Sequence, residues 1–184
     1  MRTHVALLRG INVGGHNKLA MADLKVAVAS LGHTAVETYL QSGNVVFTSY
    51  DPNPASIAGQ LQKSLTAQTS QGINVVVVDR DEWAELVNHN PYPHETDPRR
   101  LHAMVHPSEL TTEDFAALDL AQRRARDKGS ADELTAIGRT IYLSTPNGMG
   151  RSELASNLTR YPQAPLGTAR NWATVNKITA LLNS

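Results

Sequence analysis

Val36-Glu-Thr-Tyr-Leu-Gln-Ser42-Gly43-Asn44-Val-Val-Phe-Thr-Ser49 is the stretch on which the fold turns. Two runs of β-prone residues, 36–41 and 44–49, flank a Ser-Gly pair, and that arrangement predicts a hairpin. On its N-terminal side, Met21, Leu24, Val28 and Leu31 recur at helical spacing and Gly32 follows them. That predicts a helix with a glycine stop. Before it, His4–Leu8 is a short apolar run, hence a buried strand. On the C-terminal side, Asn53 is placed to cap a helix that begins at Pro54 and buries Ile57, Leu61 and Leu65. The β-branched run Ile73–Val78 predicts a central strand. The order over residues 4–79 is β-α-β-β-α-β, the split βαβ or ferredoxin-like arrangement.

The second half reads the same way. A short helix over Asp81–Val87, capped by Asp79 or Asp81, leads into Asn88–Arg99, a loop with three prolines. Leu101–His106 is a strand. Thr111–Asp127 is a helix with Phe115, Leu118, Ala121 and Ala125 on one face. Glu133–Ile137 and Thr140–Ser144 flank a second hairpin turn, Gly138-Arg139. Ser152–Arg160 is a helix, and a break at Pro162, Pro165 and Gly167 precedes a last helix with Thr168 as its N-cap, a short strand just before Thr168 being the alternative. The fold class is therefore α+β. Two ferredoxin-like subdomains follow one another, the second ending in a helix. Their expected extents are 1–80 and 100–184, joined by a short helix and Pro-rich linker over 81–99.

Composition narrows the function. Apolar residues are 41% of the 184, enough for a packed core. Lys plus Arg and Asp plus Glu are 17 each, so the chain is not a general polyanion binder. There is no Cys, which removes disulfides, thiolate metal sites and Cys nucleophiles together. No signal-peptide layout or membrane-length apolar run is present, so a cytoplasmic location away from membranes is expected. Residues 134–184 carry five basic side chains against one acidic, which leaves room for a basic C-terminal face.

Three segments can carry chemistry. Arg9-Gly-Ile-Asn-Val-Gly-Gly15-His-Asn-Lys18 joins a strand to a helix, where glycine-rich backbone turns N–H groups toward an anion and Arg9 and Lys18 supply charge. Its spacing fits neither the Walker nor the Rossmann pattern. Gln41, Ser42 and Asn44 cluster at the hairpin tip, where amides and a hydroxyl can read polar ligand groups. Thr168, Arg170 and Asn171 are expected at the positive start of the last helix. Each segment also has a purely structural reading as tight turn, turn residues or helix cap. His102 and His106 lack a carboxylate at zincin spacing, so no metal site is expected. No nucleophile elbow or triad is recognisable, and no cofactor is implied.

Taken together, Leu8–Gly15 with Lys18 and Met21, Tyr39–Phe47, and Thr168–Val175 resemble the bacterial family catalogued as domain of unknown function 1697. The resemblance extends over essentially the whole chain. It implies two ferredoxin-like subdomains and no established activity, cofactor or catalytic residue. Relative to that family, His16 stands where Lys is common, Ala20 where Pro is frequent, Glu153 where Lys follows the Ser, and Ala173 where Asn is usual.

The functional expectation is a cleft that binds a phosphate-bearing small molecule such as a nucleotide, with turnover of that molecule as an open extension. Arg9, Asn12, Gly14, Gly15 and Lys18 would hold the anion. Gln41, Ser42 and Asn44 would read the polar part, and Arg170 and Asn171 would close the site. The alternative is a non-enzymatic module, associated with nucleic acid or with another protein, in which these motifs are structural. An RNA-recognition sheet fits poorly, since His4–Leu8 has no base-stacking aromatic.

Overall fold

The structure is a computed structural model that describes residues 1–14, 17–69, 72–160 and 167–184. It divides into two compact units, Met1–Glu85 with Asn176–Ser184, and Leu86–Val175.

The first unit carries β1 (His4–Leu8), α1 (Met21–Ser30), β2 (Thr34–Tyr39), β3 (Asn44–Thr48), α2 (Pro54–Thr69) and β4 (Val75–Asp79). Its sheet runs β2-β3-β1-β4, every neighbouring pair antiparallel. That is the split βαβ order. Ala6, Leu8, Val45, Phe47, Val75 and Val77 share one face and pack with Leu24, Val28, Ile57, Leu61 and Leu65 of the two helices. The expected N-cap of α2 is present: Asn53 Oδ1 accepts from the Ala55 and Ser56 amides at 3.0 and 3.2 Å. β2 is an edge strand with a register shift between Thr34 and Glu37 and a left-handed Ala35 (φ 50°). That irregularity blunts a free edge.

One strand assignment needs correction. The run ending at Val78 was expected in the sheet centre, but β4 lies at the edge, beside β1 alone. Val75 to Val78 are nonetheless all buried, at 4% exposure or less. Burial on both faces produces a continuous apolar run whether or not a strand has two neighbours.

α3 (Arg80–Asn88) follows β4 without a break, and the choice of cap is settled: Asp79 Oδ1 accepts from the Glu82 amide at 2.8 Å. Residues 89–100 form neither helix nor strand.

The second unit repeats the plan with β5 (Leu101–Val105), α4 (Thr112–Asp127), β6 (Glu133–Ile137), β7 (Thr140–Ser144), α5 (Glu153–Arg160) and β8 (Thr168–Asn171). The sheet order is β6-β7-β5-β8, again wholly antiparallel. α6 (Trp172–Asn183) closes the chain. α4 opens with a capping box in which Thr111 and Asp114 each accept from the other's backbone N–H. Phe115, expected on the buried face of α4, is 46% exposed; Leu118, Ala121 and Ala125 make that face.

The end of the chain corrects the sequence reading most. Thr168 does not cap the last helix. It begins β8, paired with Val105, so the fourth strand of the second unit starts at Thr168 rather than just before it. Asn171, three residues after the expected cap, takes the capping role: its Oδ1 accepts from the Thr174 amide at 2.9 Å. Pro162 and Pro165 lie outside the described residues.

Candidate functional site

The Arg9 loop and the hairpin tip meet at one end of the first sheet. Leu8 N donates to Gly43 O at 2.8 Å, and Arg9 N donates to Asn74 O at 2.9 Å, so the loop leaves β1 held on both sides. Asn12 then ties the loop down. Its Nδ2 donates to Leu19 O at 2.9 Å and to Gln41 O at 2.8 Å, and its Oδ1 accepts from Leu19 N at 2.9 Å. Asn17 Nδ2 donates to Gly10 O at 3.0 Å. Asn12, Asn17 and Leu40 all sit at positive φ (55°, 49° and 59°), backbone states that persist only where surrounding bonds over-determine them. Gly10 (φ 66°) and Gly14 (φ 57°) take the same region without a side-chain penalty.

The expected site residues separate into two groups. Asn12 and Asn44 turn inward. Asn44 is 1% exposed, and its Nδ2 donates to Tyr39 O at 2.7 Å and Ser42 Oγ at 3.1 Å, closing the hairpin from below. Gly14, Lys18, Gln41 and Ser42 are exposed. Arg9 lies between: it is half-buried, and its Nη1 is shielded from solvent with no hydrogen-bond partner among the described residues. Gly15 lies outside the described residues.

Arg170 and Asn171 belong to β8 of the second unit rather than to a helix start. Arg170 pairs with Ala103 across the ladder, and its Nη1 donates to Ala169 O at 2.8 Å. Burial lowers its pKa to about 10, which still leaves it cationic at neutral pH.

Residues 1–142 match the protein family of unknown function DUF1697. The chain belongs to that family. The third motif, Thr168–Val175, falls outside the matched region, so the expectation of a family match over the whole chain is narrowed to the first 142 residues. A comparison with curated proteins finds no match. Among solved structures, the conserved bacterial protein SP0830 from Streptococcus pneumoniae is similar, with a TM-score of 0.73 and 24% identity over 98% of each chain. At that identity the likeness concerns the fold. No helix among the described residues is long and apolar enough to cross a membrane.

Sequence reasoning passed over two polar clusters in this DUF1697 chain. In the second unit, Asp132 is 3% exposed, and its Oδ2 accepts from Ser130 Oγ, Ser152 Oγ and the Leu154 amide at 2.7, 2.8 and 3.4 Å. Ser152 Oγ in turn accepts from the Ala155 amide and caps α5. Glu153, one of the departures from the family pattern, pairs with Lys128 at 2.8 Å.

In the first unit, His4 stacks on Phe47 and His33 packs against it at a tilt, with ring centroids 5.7 and 4.8 Å away. Both are buried, and neither Nε2 has a hydrogen-bond partner among the described residues. Burial is the main cause that lowers each pKa below the ordinary 6.5; the nearby Asp51 carboxylate opposes it at both, and Asp79 opposes it at His4. A folded-state pKa below the unfolded value means that the unfolded chain binds more protons on acidification. Stability contributed by the neutral imidazoles is therefore present above pH 6.5 and is lost as pH falls from there through the folded values. Urea unfolding at pH 7.5 and at pH 5 should show a loss of stability that His33→Gln reduces. An equal loss in wild type and variant would assign the acid sensitivity elsewhere.

Proposed function

We propose that the loop and hairpin tip of the first unit bind a small anionic molecule, with a phosphorylated metabolite such as a nucleotide as its chemical class. The observation that carries the reading is Arg9. Its Nη1 is shielded from water and has no acceptor among the described residues, a costly state, and an oxyanion would supply the acceptor in a charge-assisted bond. Around it, Asn12 holds the backbone in one conformation, so little ordering is required on binding. Lys18 and Gln41, both exposed, are the side chains available to a ligand's charged and polar parts, and Gly14 offers backbone. Asn12 and Asn44 position this surface rather than reach beyond it. The proposal rests on the first unit alone and names no catalytic residue.

A second reading has its own support. Val13 and Leu40, on the same loop and hairpin, are 66% and 52% exposed, as they would be on a protein-binding tip.

Calorimetric titration with inorganic phosphate, AMP and ATP separates the two. On the anion reading at least one binds saturably, and Arg9→Ala weakens it by about tenfold or more, the equivalent of one lost charge-assisted bond of about 1.4 kcal/mol. Lys18→Ala has a smaller effect that added salt masks. Arg9→Met should meanwhile stabilise the unliganded protein by about 1 kcal/mol, because it removes the unsatisfied N–H and keeps the apolar stem. Absence of binding by all three probes would reject the anion reading.

A further inference from the structure

At the other end of the first sheet, where β1 begins and β3 and β4 end, lies an open cavity of about 380 Å³. Its size is within the range of small-molecule sites. Its wall includes His4, Tyr50, Asp51, Asp79, Arg80 and Asp81. None of these belongs to the Arg9 loop, and the inference is independent of the proposed anion site.

Charge in the cavity is unbalanced. Asp51, Asp79 and Asp81 form no ion pair among the described residues. Asp51 is held ionised, its pKa lowered chiefly by the Asn53 amide and the Ser56 hydroxyl. Asp79 uses Oδ1 to cap α3. Arg80 is the one cation among the described residues of the wall, and its guanidinium is engaged by the carbonyls of Arg2 and Leu182 and by the Asn183 side chain. Those are neutral acceptors, so three carboxylates face one guanidinium.

Two further observations point to a ligand. His4, the cross-strand neighbour of Asp79, is 4% exposed and its Nε2 has no hydrogen-bond partner among the described residues. With the imidazole proton on Nδ1 and donated to Thr3 Oγ1 (2.8 Å), Nε2 holds an unused lone pair. Tyr50 is 93% exposed, and its ring face is available to a cation.

We propose that this cavity binds a small organic cation bearing primary ammonium groups. An ammonium donates several hydrogen bonds and can be shared among Asp79, Asp81 and the imidazole, while the ligand's alkyl portion lies on Tyr50. A metal ion fits less well, because no group of three or more His, Asp or Glu among the described residues is arranged to hold one.

The test is an amide and imidazole NMR titration of the full chain with 1,4-diaminobutane at neutral pH and constant ionic strength. Saturable shifts are expected at Thr3, Ser49, Tyr50 and Asp81, with a fall in the His4 titration midpoint as the bound cation disfavours a second positive charge. Asp79→Asn with Asp81→Asn should weaken binding by about tenfold or more. Tyr50→Ala, at a position whose exposure makes misfolding no concern, should weaken it several-fold, and Asp23→Asn on α1 should leave it unchanged. The proposal is overturned if no saturable shift occurs, if magnesium chloride at equal ionic strength reproduces the shifts, or if both the paired Asp variant and Tyr50→Ala bind as wild type does.

Discussion

Replacing Gly43 by alanine is expected to destabilise the first unit by about 2–4 kcal/mol. The residue sits at φ 76°, and an added Cβ would lie 2.6 Å from Ile11 Cδ1 and 2.7 Å from Leu8 Cβ. Ile11 can rotate away. Leu8 Cβ cannot, because it is fixed to β1, whose backbone is bonded to Gly43 O. The substitution therefore pushes the hairpin tip off the strand that carries Arg9, and a fall in Tm of about 5–15 °C should accompany it. Two control substitutions separate the causes. Gly10→Ala, at φ 66° with no atom within 4 Å of the new Cβ, carries backbone strain alone and should cost about 1 kcal/mol. Gly59→Ala, within α2 and with no atom within 4 Å of the new Cβ, should stabilise by about 0.5–1 kcal/mol. Equal effects at Gly43 and Gly10 would show that crowding against Leu8 and Ile11 contributes nothing.

Asp132→Ala should cost about 2–4 kcal/mol, because it leaves buried donors from Ser130, Ser152 and Leu154 without their shared acceptor. The carboxylate stands at the start of α5, where the helix dipole favours negative charge, so charge as well as hydrogen bonding is lost. Asp132→Asn keeps an acceptor of similar shape and should cost about half as much. A cycle of Asp132→Ala with Ser152→Ala tests the coupling. The double variant should be less destabilised than the sum, since each single change already breaks the same bond. Strict additivity in chemical-denaturation experiments would mean that the two side chains stabilise α5 independently.

These predictions fall where the sequence was least informative, and particular residues show why. Asp132 carries no local signature: in the chain it is an acidic residue after Ser-Ala, and only the return of α5 brings Ser152 to it. His4 and His33 are 29 positions apart, and nothing short of the packed sheet places both against Phe47. Asn12 and Asn44 looked like ligand-reading amides, since an amide at a loop tip serves a ligand or a carbonyl equally well. The fold directs theirs to Leu19, Gln41, Tyr39 and Ser42.

What the sequence determined by itself was local: hairpin turns at Ser42-Gly43 and Gly138-Arg139, a cap at Asn53, stops at glycine, and periodicities of two and 3.6. These act within a few residues, through backbone sterics and short-range hydrogen bonds, and together they dictate the element order of both units. Tertiary structure decided what depends on a distant partner. Val75–Val78 could have been central or edge, because burial and not neighbour count selects valine. Thr168–Asn171 could have been a helix start, because threonine and asparagine both cap; pairing with β5 makes it a strand and moves the cap to Asn171. The same is true of Arg9, whose Nη1, without a hydrogen-bond partner among the described residues, is shielded only once the loop has folded around it.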